Sequence, residues 1–228
     1  KEKKGERVDE GGVDMRKGYQ TFAAMCMLLS VLMLAGCTDK DEEALAEKPV
    51  IYLYPEEAQE VSVRLDYEGE LFCTYPVYED GWNVIARPDG TLQDLRDGQQ
   101  YSYLFWEGVS DIEYDMSEGF VVKGEDTAAF LQEKLAQLGL TPSEYNEFIV
   151  YWLPKMQENP WNLITFQTSA YTEYAALHIT PEPDSVIRVF MAYQALDKPI
   201  EVPEPVITTP ERKGFTVVEW GGTEVTLS

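Results

Sequence analysis

Residues 126–153 constrain the fold most, because they encode two amphipathic helices joined too tightly to do anything but fold back on each other. In DTAAFLQEKLAQLGL, Ala128, Leu131, Leu135 and Leu138 recur at helical spacing. Gly139 is placed as the left-handed stop, with Leu140 returning onto the last turn. Thr141-Pro142-Ser143-Glu144 then reads as a capping box with proline at the first helical position. Tyr145, Phe148, Ile149, Trp152 and Leu153 follow as one apolar stripe, and Pro154 is expected to end or kink the second helix. Two striped helices cannot bury their faces alone, so a further layer must cover them.

The flanking sequence supplies that layer as strands. VIYLYP (50–55) is a short apolar run. Val61, Val63 and Leu65 alternate with Ser62, Arg64 and Asp66, the period of a strand wet on one face. ELFCTYP (70–76), a strand and Pro-Asp-Gly turn in 81–92, and YSYLFWE (101–107) continue the pattern. After the helices come NLITFQT (162–168), ALHIT (176–180) and SVIRVFMAY (185–193). Four prolines in 199–210 demand an extended crossing or edge segment. FTVVEW, Gly221-Gly222 and TEVTL read as a terminal hairpin. The fold class expected is α+β: a β-rich domain, sandwich-like or an open barrel, with an inserted amphipathic helical hairpin at about 126–153. Residues 49–228 form its single globular domain.

The N-terminal region carries an address. Met15-Arg16-Lys17 is a basic start, FAAMCMLLSVLMLAG (22–36) an apolar run, and Leu34-Ala35-Gly36-Cys37 a small-residue close. The run is short for a membrane span. The Cys after Leu-Ala-Gly resembles the lipobox of bacterial lipoproteins, which implies cleavage before Cys37 and a lipid on its thiol. Residues 15–36 are thus read as a lipoprotein signal peptide, and 37–48 as the lipidated Cys with an acidic tether. Residues 1–14, charged and preceding Met15, are read as an upstream, non-native or disordered segment. The expected location is the bacterial cell envelope, lipid-anchored outside the cytoplasmic membrane.

Charge narrows the partners. After Cys37 the chain holds 12 Lys and Arg against 36 Asp and Glu. Such a surface repels phosphate backbones and anionic lipid, which argues against nucleic acid and leaves the lipid on Cys37 as the membrane attachment. Cys26 leaves with the signal and Cys37 is acylated, so only Cys73 remains, read as a small buried hydrophobe.

KPVIYLYPEE, TYPVYEDGWNVIARPDG, YSYLFWEG, EFIVYWLPKM and GFTVVEWGG together resemble a group of uncharacterised bacterial secreted proteins and lipoproteins, over nearly the whole chain from Lys48 on. The resemblance implies one compact exported domain. It brings no activity, cofactor or catalytic residue with it.

Candidate chemistry starts at Glu107. Beside Phe105 and Trp106 its carboxyl suits a general acid for glycoside cleavage, given a second carboxylate about 5–10 Å away. Glu113, Asp115 and Glu147 are candidates for that partner. The competing reading makes Glu107 the charge at a strand end. Asp111, Glu113 and Asp115 in DIEYD read better as a solvated acidic loop than as a calcium site, since Met116 and Val122 stand where an EF-hand needs Gly and Glu. His178, the only histidine, reads as a core or strand-end residue. No metal site and no cofactor are expected, for no P-loop, dinucleotide, H-E-x-x-H or G-x-S-x-G motif occurs. Trp82, Trp106, Trp152 and Trp220 are expected in the core. Tyr52, Tyr54, Tyr75, Tyr78, Tyr101, Tyr103 and Tyr114 are expected to line a binding groove. The leading expectation is a non-enzymatic envelope lipoprotein that binds a glycan or an envelope protein through aromatic surfaces. The alternatives are a glycosidase-like hydrolase with Glu107 as acid and an architectural envelope subunit.

Overall fold

A computed structural model describes residues 44–226. The segments 1–14 and 15–36, Cys37 and the tether up to residue 43 lie outside the described residues.

The strands are β1 (Ala44–Tyr54), β2 (Gln59–Tyr67), β3 (Glu70–Tyr75), β4 (Trp82–Ala86), β5 (Leu92–Asp94), β6 (Gln100–Tyr101), β7 (Leu104–Ser110) and β8 (Phe120–Lys123). Helices α1 (Thr127–Gln137) and α2 (Pro142–Met156) follow, then β9 (Trp161–Phe166), α3 (Thr168–Tyr174), β10 (Ala175–Thr180), β11 (Ser185–Leu196) and β12 (Thr216–Glu224). Seven strands form one sheet in the order β3-β7-β1-β12-β11-β9-β8, and five form a second, β10-β2-β4-β5-β6. β11 and β12 run parallel, and every other pair is antiparallel. The fold is α+β, a two-sheet sandwich with a helical pair as a third layer.

The seven-stranded sheet lies between two cores. Ile51, Leu53, Trp106 and Val217 face the five-stranded sheet, where Val61, Val63, Trp82 and Val84 meet them. Val50, Tyr52, Val189, Met191, Val218 and Trp220 face Leu131, Leu135, Phe148 and Trp152 of the helices. Burial on both faces explains why β1, β11 and β12 read as nearly continuous apolar runs. β2, wet on its outer face, keeps a clean alternation: Val61, Val63 and Leu65 buried, Arg64 and Asp66 exposed.

The hairpin joint forms as the sequence predicts. Gly139 has φ +92°, Leu140 N–H donates to the Leu135 carbonyl at 3.0 Å, and Gly139 N–H donates to Ala136 at 3.1 Å. Glu144 reaches back to accept the Thr141 N–H at 2.7 Å. α2 runs on through Pro154 to Met156, because a proline in the last turn forfeits only one internal bond.

Four expectations need correction. β1 begins at Ala44, with Ala46 buried, so ladder pairing reaches back into the stretch read as tether. YSYLFWE is not one strand: Tyr101 ends β6 in the five-stranded sheet and Leu104 opens β7 in the other. Glu107 therefore sits at the middle of β7, and Gly108 lies within that strand as a glycine because a Cβ there would come 2.6 Å from the Tyr67 ring. Third, Thr216–Glu224 is one strand straight through Gly221-Gly222. A Cβ on Gly222 would lie 2.7 Å from the Trp152 ring, and one on Gly221 3.1 Å from Pro49, so these glycines serve close approach, not a turn. Finally, β9 stops at Phe166, and Thr168, read as the end of that strand, opens α3.

Candidate functional site

The helical layer stops short of one edge of the large sheet. Phe105 on β7 still packs against the helix-side core, but the next strand, β3, leaves Phe72, Cys73 and Tyr75 exposed. In register, Tyr75 pairs with Phe105 and Cys73 with Glu107, so these side chains share one face. The uncovered shelf is thus built from the residues around Glu107.

Its inner wall is a bulge in β1. Pairing with β7 slips between Ala46 and Val50, and Lys48 takes φ +59° there. That conformation turns the Lys48 N–H onto Glu107 Oε1 at 3.2 Å. The Lys48 ammonium lies 5.0 Å from the centre of the Tyr103 ring and 5.2 Å from that of Phe105. Glu47, the preceding residue, accepts the Tyr151 hydroxyl at 2.9 Å and pairs with Lys155 of α2. Burial, the bond to Glu47, and the charges of Glu47 and Glu107 together raise the Tyr151 phenol above its ordinary value, so it stays a donor. Glu47 is thus a carboxylate that shares the surroundings of the Tyr151 phenol with Glu107. Sequence reasoning had no reason to choose it, since only the bulge puts it there.

The other candidates fall elsewhere. Glu147 accepts the Tyr52 hydroxyl at 2.9 Å. Glu113 and Asp115 point outward from the irregular segment after β7, while Ile112 is buried between them and the strand. Asp115 accepts the Ser117 N–H at 2.8 Å, and its bonds with Ser117 hold its carboxyl below the usual range. Among the described residues no three His, Cys, Asp or Glu side chains gather as metal ligands. Cys73 is exposed, not buried, because β3 is an edge strand whose outward positions no layer covers. His178 lies exposed on β10, opposite Arg64, and is not in the core.

The seven tyrosines divide among three places. Tyr52, Tyr54 and Tyr103 lie on the helix side: Tyr52 stacks parallel to Tyr54 at 6.1 Å and meets Tyr103 edge-on at 5.4 Å. Burial, and the nearby Glu147 and Glu144, push the Tyr52 and Tyr54 phenols up. Tyr78 and Tyr114 pack on the inter-sheet core, Tyr78 against Trp82 with its hydroxyl bonded to the Leu65 backbone, Tyr114 stacked on Phe190. Tyr75 and Tyr101 meet edge-on at 5.0 Å at the rim, and Tyr101 donates to Asp97 at 2.6 Å, which pushes its phenol up to about 12. Only Tyr103 and Tyr75 belong to the shelf.

A protein of Butyrivibrio fibrisolvens described as "Uncharacterized protein in bglA 3'region" is 43% identical to this chain over 93 residues, 38% of this chain and 95% of the relative. The chain belongs to that protein's family. No protein-family model matches it. No solved structure matches it either.

A second polar constellation lies inside this family member. Glu219, in the middle of β12, is fully buried between the sheets. Its Oε1 accepts Trp106 Nε1–H at 3.2 Å and the Tyr171 hydroxyl at 3.0 Å, and its Oε2 accepts Arg188 Nε–H. Arg188 lies 4.7 Å over the Tyr171 ring. Burial alone lowers an arginine's hold on its proton, but the Glu219 charge outweighs it and Arg188 stays cationic. The signal available in the sequence was a single carboxylate set inside the apolar run FTVVEW.

Proposed function

We propose that this chain is a lipid-anchored protein of the bacterial cell envelope whose β-rich domain binds a glycan on the shelf of β7 and β3. The observation that carries this reading is the exposed Tyr75 on edge strand β3, paired in register with Phe105, two residues before Glu107 on β7. Sugar rings present apolar C–H faces and equatorial hydroxyls. Aromatic faces at Tyr75 and Phe105 suit the former, and the Glu107 carboxylate and Lys48 ammonium suit the latter. The lipobox-like Leu34-Ala35-Gly36-Cys37 supports the anchor.

Glu47 and Glu107 support a second reading, a glycosidase-like hydrolase, because two carboxylates share the surroundings of one phenol. One experiment separates the two. The purified lipidated chain is screened against envelope glycan fragments, together with Tyr75→Ala and Glu107→Gln. Binding without turnover, weakened about tenfold by Tyr75→Ala at unchanged melting temperature, is the expected result. Turnover that Glu107→Gln abolishes supports the hydrolase. The absence of any glycan ligand overturns both, and a Cys37→Ser chain that still sediments with membranes overturns the anchor.

A further inference from the structure

The two sheets part where β10 crosses over to β11. A cleft of about 690 Å³ opens there, within the range of small-molecule sites. Leu177, Ile179 and Val186 give it apolar walls, Glu182 stands in its lining, and Arg188 is its cation. Val186 is 49% exposed, which leaves the cleft open to solvent. The Arg188 side chain is 7% exposed. Its Nε is committed to Glu219, and its Nη2 has no hydrogen-bond partner although it is buried.

A buried donor left without an acceptor keeps its full desolvation penalty, which is larger when it belongs to a charged group. Natural proteins rarely leave such a group orphaned unless something else supplies the acceptor. Glu219 does not supply it in this structure: its Oε2 takes the Arg188 Nε–H, and its Oε1 takes Trp106 and Tyr171. The cleft brings no other anion to Arg188 except Glu182, which is exposed. We propose that the cleft between β10 and β11 binds a molecule with a carboxylate head and an apolar body. In that pose the head accepts from the free side of the Arg188 guanidinium, and the body lies along Leu177, Ile179 and Val186.

The choice of a carboxylate over a phosphate follows from charge. Arg188 is already paired with Glu219, Glu182 lines the same cleft, and the chain is at −23 overall. A dianion meets more repulsion there than a monoanion does. The site is separate from the glycan shelf: it lies at the free edge of the five-stranded sheet, whereas β3 is an edge of the seven-stranded one.

The test titrates the full chain with hexanoate, hexan-1-ol and hexyl phosphate, reading affinity by calorimetry and location from the methyl resonances of Leu177, Ile179 and Val186. Hexanoate is expected to bind about tenfold or more tighter than hexanol, the worth of a charge-assisted hydrogen bond, and to shift those methyls. Val186→Glu, a change at an exposed wall, is expected to weaken hexanoate about tenfold by repulsion. The double change Arg188→Met with Glu219→Gln, which removes both buried charges together, is expected to bring hexanoate down to the affinity of hexanol. Binding of none of the probes, equal affinity for hexanol, an unaffected double variant, or shifts confined to other methyls would each overturn the site. Tighter binding of hexyl phosphate overturns the carboxylate assignment.

Discussion

Asp94, Glu144 and Glu219 are the buried carboxylates among the described residues, and each has its own arginine: Arg96, Arg212 and Arg188. Glu219 is the most completely enclosed. Its oxygens accept from Arg188, Trp106 and Tyr171, and burial together with the Glu219 charge drives the Tyr171 phenol well up, so that phenol remains a donor. Truncating Glu219 to alanine strands the Arg188 charge inside the sandwich. Glu219→Ala is therefore expected to lower stability by about 3–5 kcal/mol in urea denaturation, the usual consequence of breaking a buried pair from one side. A loss below about 1 kcal/mol, the level of a surface pair, would show that Arg188 finds water or another acceptor. The sequence offered two carboxylates in apolar strands, Glu107 in LFWEG and Glu219 in VVEWG, and reading each locally cannot rank them. Their difference is tertiary. β7 leaves Glu107 half-buried beside the edge strand β3, while β12 places Glu219 between two layers, opposite an arginine that is 31 residues earlier in the chain.

At the level of elements, the helical hairpin was legible almost residue by residue because its signals are local: a left-handed glycine, a capping box, two stripes. What could not be read is how the crossing segment 199–210 returns to it. Pro210 closes on Gly139, where a Cβ would lie 2.8 Å from its Cγ. Arg212 then grips the start of α2, donating to Glu144 Oε1 at 2.7 Å, to Oε2 at 3.0 Å and to the Gly139 carbonyl at 3.2 Å. Burial pushes the Glu144 carboxyl up, but Arg212 and the Thr141 N–H outweigh it and hold it below the usual range. The sign of the pH dependence follows. A carboxyl depressed in the folded state contributes stability in full above its unfolded value, about pH 4.3–4.5, and that contribution fades as pH falls through the folded value. Arg212→Met is expected to cost about 1–3 kcal/mol at pH 7, and the gap between variant and parent should narrow steadily below about pH 4.5. A gap that stays constant from neutral to acid pH would assign the effect of Arg212 to packing on Tyr54, over whose ring it lies at 5.0 Å, and not to the ion pair.

For the whole molecule, the decisive fact is that β12, the last strand in sequence among the described residues, is the central one of the large sheet. β12 pairs with β1 on one side, Glu47 opposite Gly222 and Tyr54 opposite Thr216, and runs parallel to β11 on the other. Both cores need it: Val217 faces one, and Val218 and Trp220 the other. A run ending FTVVEWGGTEV shows strand propensity in the sequence but not position. The glycine pair that suggested a turn lets the strand pass close to Trp152 at Gly222 and to Pro49 at Gly221. Bringing β12 to β1 closes a loop of most of the chain, at an entropic penalty of about 4–5 kcal/mol before any pairing is gained. Such non-local topology predicts folding in milliseconds to seconds, and only after residue 224 is available. Deleting residues 214–228 removes the strand between β1 and β11, exposes Val50, Ile51, Val189 and Phe190 along the gap, and leaves two half-sheets with unpaired ladders. The truncated chain is expected to lack a cooperative thermal transition and to aggregate. A truncated chain that melts cooperatively, with strand content reduced only by the missing residues, would mean that β1 and β11 can close on each other and that β12 is an addition to the sheet, not its keystone.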